Sequence, residues 1–293
     1  MSAFTPAETA ACCHLIELAL QEDLGPEMSP DADITSVCFV DLIAEGTAVM
    51  VARQPGILAG LPAAALAFAR VDPHLRFETL IQDGTPVQPG DHLATITGLT
   101  CGIFTAERTA LNFIQQLSGI ATLTHYYVQA VAGLPVQILD TRKTIPGWRL
   151  LAKYAVRQGG GRNHRMGLYD MILIKDNHWA AMDHPYPLEE TFRYMRKHHP
   201  KIPIEIEIDT LAQLDAALVG NPDIILLDNM PLAMMREAFK RRNQAAPGVR
   251  LEASGGVTLQ TVRAIAETGV DRISIGALTH SAPALDIALD YGT

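Results

Sequence analysis

Apolar positions recur along this chain in two rhythms, which change over near Gly133. Beyond it, short apolar runs at 136–139, 171–174, 204–208, 224–227, 249–251 and 272–275 are parted by stretches of helical periodicity at 148–158, 188–198, 211–219, 232–242 and 259–268. Strands that are apolar throughout are buried on both faces, as in a parallel sheet, and the helices between them are the crossovers. Six such repeats predict a closed or nearly closed α/β barrel. An open doubly wound sheet is the rival, but no glycine-rich dinucleotide turn follows the first strand.

Before Gly133 the pattern is mixed. Thr5-Pro6-Ala7-Glu8 is a capping box with Pro at the first helical position, and Cys12, Leu15, Ile16, Ala19 and Leu20 then fall on one face of a helix. Glu17, Glu22 and Asp23 form its wet side, Gly25-Pro26 ends it, and the Pro/Asp-rich run 25–33 reads as an exposed loop. From Ile34 to Thr105, β-rich segments at 46–52, 75–81 and 92–97 are separated by turn signals, with one apolar helix at 62–70. This predicts a compact α+β unit. The turn at Pro89-Gly90-Asp91 resembles those of biotinyl and lipoyl carrier domains, but no lysine precedes Lys143 to be modified. A long helix is predicted from Thr105, its N-cap, to Ala132, with a break at Ser118-Gly119. That places Arg108 in the first turn, where a cation opposes the helix dipole. Either it pairs with a nearby acid or its task lies elsewhere.

Charge sharpens the picture. The chain has 293 residues and a formal net charge of -9, yet its first basic residue is Arg53, with nine acids before it. The remaining 23 acids match the 23 basic residues, so the acidity belongs to the N-terminal segment. A start without basic residues supplies no signal-peptide n-region, and no apolar run approaches the ~18 residues of a membrane span. Cys12, Cys13, Cys38 and Cys101 lack metal-ligand spacing and read as buried, reduced thiols. A cytoplasmic protein with no membrane partner is expected.

Against this acidic background Arg142, Lys143, His164, Arg165 and Lys175 crowd into residues 140–178. Long nucleic acid would require a broadly basic surface, so this cluster predicts a pocket for a small polyanion. Polar residues follow every predicted barrel strand: Asp140 to Lys143, Lys175 to Asn177, Glu205 and Glu207, Asp228-Asn229, Ser254-Gly255-Gly256, and Gly276. Barrels gather their catalytic groups at the carboxyl ends of their strands, so these residues are expected to share one mouth. The cations suit carboxylate and phosphate oxygens. Glu207 and Asp228 are hard oxygen ligands for a partly hydrated Mg²⁺ or acceptors for sugar hydroxyls. Alternation puts Glu205 on the face of Glu207, and Glu207 lies nearer the strand end. Small residues at 254–256 and 276–277 let backbone N–H groups close on a phosphate. Gly159-Gly160-Gly161 is either a phosphate loop or, as preferred here, a flexible connection presenting His164 and Arg165. Lys175 is also a candidate Schiff-base lysine of an aldolase-type barrel, which the surrounding arginines disfavour. A protein that binds a phosphorylated ligand without turnover is a further alternative, against which Glu207 and Asp228 both stand.

Several stretches together resemble the quinolinate phosphoribosyltransferase (nicotinate-nucleotide pyrophosphorylase, carboxylating) family: TAERTALNF at 105–113, LSGIATLT at 117–124, DTRKTIPG at 140–147, KYAVRQGGGRNHRMGLYD at 153–170, ILIKDNH at 172–178, EIEID at 205–209, LLDNM at 226–230, EASGG at 252–256 and ISIGALTHS at 273–281. EDLG, DITS and ILAGLP extend the likeness through the N-terminal region. Trp148, where the resemblance leads one to expect Leu, and the lengthened loop at 25–33 depart from it. The resemblance implies an N-terminal α/β sandwich at 1–117, and an incomplete, seven-stranded parallel α/β barrel at 118–293 whose last helix packs back on the first domain. Only six strands are legible in the pattern. It implies transfer of the phosphoribosyl group of phosphoribosyl pyrophosphate to quinolinate with decarboxylation, giving nicotinate mononucleotide, pyrophosphate and CO₂. It also implies Mg²⁺, no organic cofactor, and a homodimer in which Arg108 is donated across the interface. Arg108, Arg142, His164, Arg165 and Lys175 then line the quinolinate site with Lys143 alongside. Glu207 and Asp228 hold the ribose hydroxyls and Mg²⁺, directly or through water. Lys143, Ser254, Gly255, Gly256, Gly276 and Ala277 meet the phosphates of phosphoribosyl pyrophosphate. Lys143, Lys175, Glu207 and Asp228 are the expected catalytic set. Nicotinate phosphoribosyltransferase, a cousin, recognises one carboxylate, and five cations favour two.

Overall fold

A computed structural model describes residues 4–181 and 187–292. In chain order the first elements are α1 (Pro6–Leu24), α2 (Ile34–Phe39), β1 (Glu45–Ala52), β2 (Gly56–Ile57), α3 (Leu61–Val71), β3 (Arg76–Thr79), β4 (Pro86–Val87), β5 (His92–Leu99) and α4 (Thr100–Ala130). Then come β6 (Gln137–Leu139), α5 (Arg149–Gln158), β7 (Ile172–Ile174), α6 (Asp176–Ala180), α7 (Leu188–His198), β8 (Ile204–Ile208) and α8 (Leu211–Gly220). The last are β9 (Ile224–Asp228), α9 (Leu232–Ala245), β10 (Arg250–Ser254), α10 (Val262–Ala266), β11 (Arg272–Ser274), α11 (Ala277–His280) and β12 (Ile287–Tyr291). They form two units, one of Met1–His125, Thr144–Gly160 and Ala277–Thr293, the other of Tyr126–Lys143 and Gly161–Gly276.

The first unit is built on an antiparallel sheet of order β12-β1-β5-β3. The capping box at α1 forms as its residues dictate, with Thr5 N–H donating to Glu8 Oε2 at 2.7 Å and Glu8 N–H donating to Thr5 Oγ1 at 3.3 Å. Cys12, Ile16 and Leu20 turn inward. Adjacent helical residues point about 100° apart, so Cys13 is exposed beside buried Cys12, and Cys38 is exposed too. The expectation of four buried thiols therefore holds for Cys12 alone, whose pKa burial, and then the neighbouring Cys13, push up to about 12.

Three expectations about helices are corrected. Ile34–Phe39 forms α2 where β-rich sequence was read, because Asp33 caps it, accepting from Ser36 N–H at 3.1 Å. The long helix starts at Thr100 rather than Thr105, and Thr105 instead donates its hydroxyl to Asp33 Oδ2 at 2.9 Å. Arg108 consequently lies eight residues into α4, exposed beside Glu107, and no dipole argument applies to it. Finally, α4 runs unbroken through Ser118-Gly119. Ser118 Oγ donates to Ala59 O at 3.0 Å and accepts from Ala59 N–H at 2.9 Å, while Gly119 lets the Pro283 carbonyl approach to where a Cβ would stand 2.0 Å away. These two residues serve neighbours rather than interrupt the helix.

The helix read between the first two barrel strands, α5, belongs to the first unit. Tyr154 donates its hydroxyl to Asp83 Oδ2 at 2.6 Å, and Trp148 stacks on Phe113 with ring centroids 4.9 Å apart. Gly159 is buried where a Cβ would lie 2.3 Å from Ala121 O, so the glycine triple begins as a close-packed turn. A loose connection was expected. The last helix, α11, is followed by β12, which pairs antiparallel with β1.

The second unit is a parallel sheet of order β6-β11-β10-β9-β8-β7. Its strands step round in sequence from β7 to β11, and β11 pairs back onto β6, which is barrel connectivity. A seventh strand survives as one parallel bridge, Leu139 to Arg162. Arg162 N–H donates to Ile138 O at 2.8 Å and Asp140 N–H donates to Arg162 O at 3.2 Å. Too short to show in hydropathy, this stub completes the incomplete seven-stranded barrel. Among its apolar inward positions stand three buried charged residues, Glu205, Glu252 and Arg272.

Candidate active site

Parallel register brings the polar strand ends side by side. Glu207 lies one residue short of the end of β8, Asp228 ends β9, and Ser254, the last residue of β10, pairs with both Asp228 and Ser274 of β11. Lys175, just beyond β7, places Nζ 3.1 Å from Glu207 Oε2. Arg142 and Lys143 follow β6, Lys143 exposed, with its N–H donating to Thr141 Oγ1 at 3.0 Å. Alternation along β8 puts Glu205 in the layer beneath, fully buried, while Glu207 is part-exposed at the rim.

Arg142 and Arg165 come close enough to repel. Burial and then the Arg142 charge hold the Arg165 guanidinium below its ordinary pKa. Arg165 Nη1 donates to Met171 O at 3.2 Å, and Arg142 Nε is buried without a hydrogen-bond partner among the described residues. Two arginines whose charges oppose one another, one with an unmet buried donor, suit an anion that would compensate both.

The turn after β10 is shaped for close approach. Gly255 and Gly256 have φ of +92° and +59°, and a Cβ on Gly255 would sit 2.2 Å from Asn229 Oδ1. Asn229, itself at φ 49°, donates its N–H to Ser254 O at 2.9 Å and its side-chain amide to Asp228 Oδ2 at 2.9 Å. The glycine pair is thus required by backbone conformation as well as by space. Gly276 follows β11, and Ala277 opens α11 in the first unit.

His164 is set deeper than its neighbours. Its main-chain N–H donates to Asp140 Oδ1 at 2.9 Å, and buried Asp140 also accepts from Asn163 Nδ2 at 2.6 Å. Its Nδ1 accepts from Arg165 N–H at 2.7 Å, while Nε2 lies 3.1 Å from Glu205 Oε2 and 3.2 Å from Glu252 Oε1. Arg272 Nε stands 2.8 Å from Glu252 Oε2. Burial lowers the imidazole pKa, and the two carboxylates more than reverse it, to about 9. Burial and then the Glu252 charge raise that of Glu205. The two carboxylates favour the charged ring, but an Arg165 amide donating at 2.7 Å needs a bare Nδ1. That hydrogen bond is the direct geometric constraint, and it puts the ring's proton on Nε2, facing the glutamates.

Seven of the predicted side chains, Arg142, Lys143, His164, Arg165, Lys175, Glu207 and Asp228, and the glycines at 255, 256 and 276 therefore belong to the second unit, and Arg108 to the first. Asp140, Glu252 and Arg272 went unremarked as individual site residues. The signal was present: an acid or base inside an otherwise apolar strand, at an inward alternate position, is retained only where it has a partner.

Among the described residues no helix is long and apolar enough to cross a membrane. Family models described as quinolinate phosphoribosyl transferase, N-terminal domain and C-terminal domain, match residues 33–118 and 120–290. The chain is 46% identical over 285 residues, 97% of its own length and 98% of the relative's, to a nicotinate-nucleotide pyrophosphorylase [carboxylating] of Mycobacterium leprae. It is 42% identical, over 95% of this chain and 82% of the relative, to quinolinate phosphoribosyltransferase [decarboxylating] 1 of Nicotiana glauca. Among solved structures, the nicotinate-nucleotide pyrophosphorylase from Francisella tularensis superposes with a TM-score of 0.90 at 35% identity, covering 99% of both chains.

Proposed function

The chain belongs to the quinolinate phosphoribosyltransferase family, and from that premise we propose how its residues divide the work. The reaction moves the phosphoribosyl group of phosphoribosyl pyrophosphate onto quinolinate with loss of CO₂, yielding nicotinate mononucleotide and pyrophosphate for NAD biosynthesis. The observation that carries the assignment of residues is the unmet buried donor of Arg142, in a site where its charge already bears on the buried Arg165 guanidinium. Quinolinate, with two adjacent carboxylates, offers the charge they lack. Lys175 adds a third cation, and exposed Lys143 is assigned to the phosphates.

The pyridine nitrogen attacks C1 of the ribose as pyrophosphate leaves. The transition state has oxocarbenium character, so the protein contributes alignment and charge compensation rather than covalent chemistry. Glu207 and Asp228 take the ribose hydroxyls, and the Ser254-Gly255-Gly256 turn with Gly276-Ala277 takes the phosphates. Two carboxylates on neighbouring strand ends are also a donor set suited to Mg²⁺, bound directly or through water. When bound there, Mg²⁺ offsets the charge of the pyrophosphate. Once alkylated, the ring nitrogen is positive and stabilises the carbanion left at C2 by the departing carboxylate; an ammonium of Lys143 or Lys175 then gives that carbon its proton, so no organic cofactor is required. His164 sits behind Arg165, both ring nitrogens engaged. The deciding assay is CO₂ release from carboxyl-labelled quinolinate. It is expected only with phosphoribosyl pyrophosphate and Mg²⁺ both present, and release without the sugar phosphate would defeat the assignment.

The active assembly in this reading is a homodimer in the cytoplasm. Ile34, Phe39, Leu42 and Ile43 are 72%, 91%, 59% and 81% exposed, a patch suited to burial against a second copy. Exposed free thiols at Cys13 and Cys38 suit a reducing compartment. Arg108 of the partner subunit would supply a further cation to the quinolinate site. Mixing inactive Arg108→Ala and Asp228→Asn proteins then restores about a quarter of wild-type activity, since half the dimers are mixed and each holds one intact site. A mixture as inactive as its components would show that the arginine acts within its own chain.

A further inference from the structure

Two glutamates inside the barrel have no part in the chemistry above. Glu205 and Glu252 are fully buried, and among the described residues none of their four carboxylate oxygens makes a well-aligned hydrogen bond. Buried acids facing one another are costly, and apolar residues would pack the layer without that cost. With His164 they bring three potential ligand atoms within 4.8 Å of one another, the spacing of a metal cage. Arg272, however, lies 2.8 Å from Glu252 and already supplies positive charge where a cation would sit. The cluster must therefore be understood through what it holds, and what it holds is the His164 ring.

We propose that Glu205 and Glu252, backed by Arg272, are positioning residues for substrate capture, fixing His164 as a strut beneath Arg165. The two carboxylates grip Nε2 at 3.1 and 3.2 Å, which turns Nδ1 toward the Arg165 N–H at 2.7 Å. Asp140 holds the preceding amide at 2.9 Å, so the main chain at 164–165 is pinned from both sides. From that anchored backbone the Arg165 side chain reaches Met171 O at 3.2 Å, held there against the repulsion of the Arg142 charge. Without the strut, the two guanidiniums would move apart before the substrate arrives. The pair would no longer be preorganised, and binding would have to reassemble it. This rests on the assignment of Arg142 and Arg165 to the quinolinate carboxylates.

The test uses Glu205→Gln, Glu252→Gln and His164→Ala in the full-length enzyme, with steady-state kinetics in both substrates. Either glutamine variant keeps the shape and is expected to raise KM for quinolinate about tenfold, as loss of a supporting partner behind a ligand does. Its KM for phosphoribosyl pyrophosphate and its kcat should stay within about threefold, a split that simple loss of folded protein does not produce. His164→Ala should raise KM for quinolinate as well, and adding Glu205→Gln to it should cost little more, because both act through one strut. An unchanged KM for quinolinate with a lowered Tm, or full additivity, overturns the proposal. So does a stoichiometric divalent metal in the purified wild type that Glu252→Gln loses. A wild-type enzyme that turns over quinolinate while the variants keep its KM sinks this inference alone. A wild type with no such turnover sinks the functional reading and this inference with it.

Discussion

Asp228→Asn is expected to lower kcat about 10²–10³-fold, with KM for quinolinate changed by less than about threefold. The substitution keeps the shape of the side chain at the end of β9 and removes only its charge. That charge matters most as the ribose becomes cationic and pyrophosphate leaves, so its loss falls on the transition state rather than on the bound pyridine. Glu207→Gln, one strand over, should behave alike, with the difference that Lys175 loses its partner at 3.1 Å. Both variants should also need more Mg²⁺ for half-maximal rate. Initial rates across a Mg²⁺ series settle the matter. Wild-type kcat in Asp228→Asn would remove the carboxylate from the mechanism.

The second large effect belongs to Arg165. Arg165→Ala should raise KM for quinolinate about 100-fold, or about 3 kcal/mol, within the range for truncating one partner of a buried charge pair. Two reasons make this arginine more costly to lose than an exposed cation. It is buried, so its carboxylate contact is made at low dielectric, and its fork is aimed by the Met171 carbonyl and the His164-supported main chain. For the same reason Arg165→Lys should recover little, since a single ammonium cannot reproduce a two-point contact. Titration calorimetry with quinolinate separates the outcomes. Tight binding to Arg165→Ala would place the carboxylates elsewhere.

How far residues alone could lead is seen by comparing particular elements. The barrel strands were legible because each is a continuous apolar run, and β8 and α7 fall where the pattern put them, at Ile204–Ile208 and Leu188–His198. The seventh strand was not, because one bridged residue at Arg162 has no periodicity to detect. The start of α4 was misplaced for a related reason. Thr105 has the side chain of an N-cap, but tertiary contact turned its hydroxyl to Asp33 and the helix continued back to Thr100. Gly119 and Gly159 read as breaks or flexible points, whereas both are glycine because a neighbouring carbonyl leaves no room for a Cβ.

By itself the chain's order of residue types determined that there is a parallel barrel, that its cations gather near the first two strands, and that acids stand at the ends of the next two. Those follow from local preference and from alternation, which act over a few residues. Only the tertiary structure decided which of these groups face one another. It put Glu205 below and Glu207 at the rim, closed two acids from separate strands around one imidazole, and brought the charge of one arginine to bear on another. Such pairings are made between segments tens of residues apart. Their energies depend on burial and distance in the folded barrel, which no stretch of sequence carries on its own.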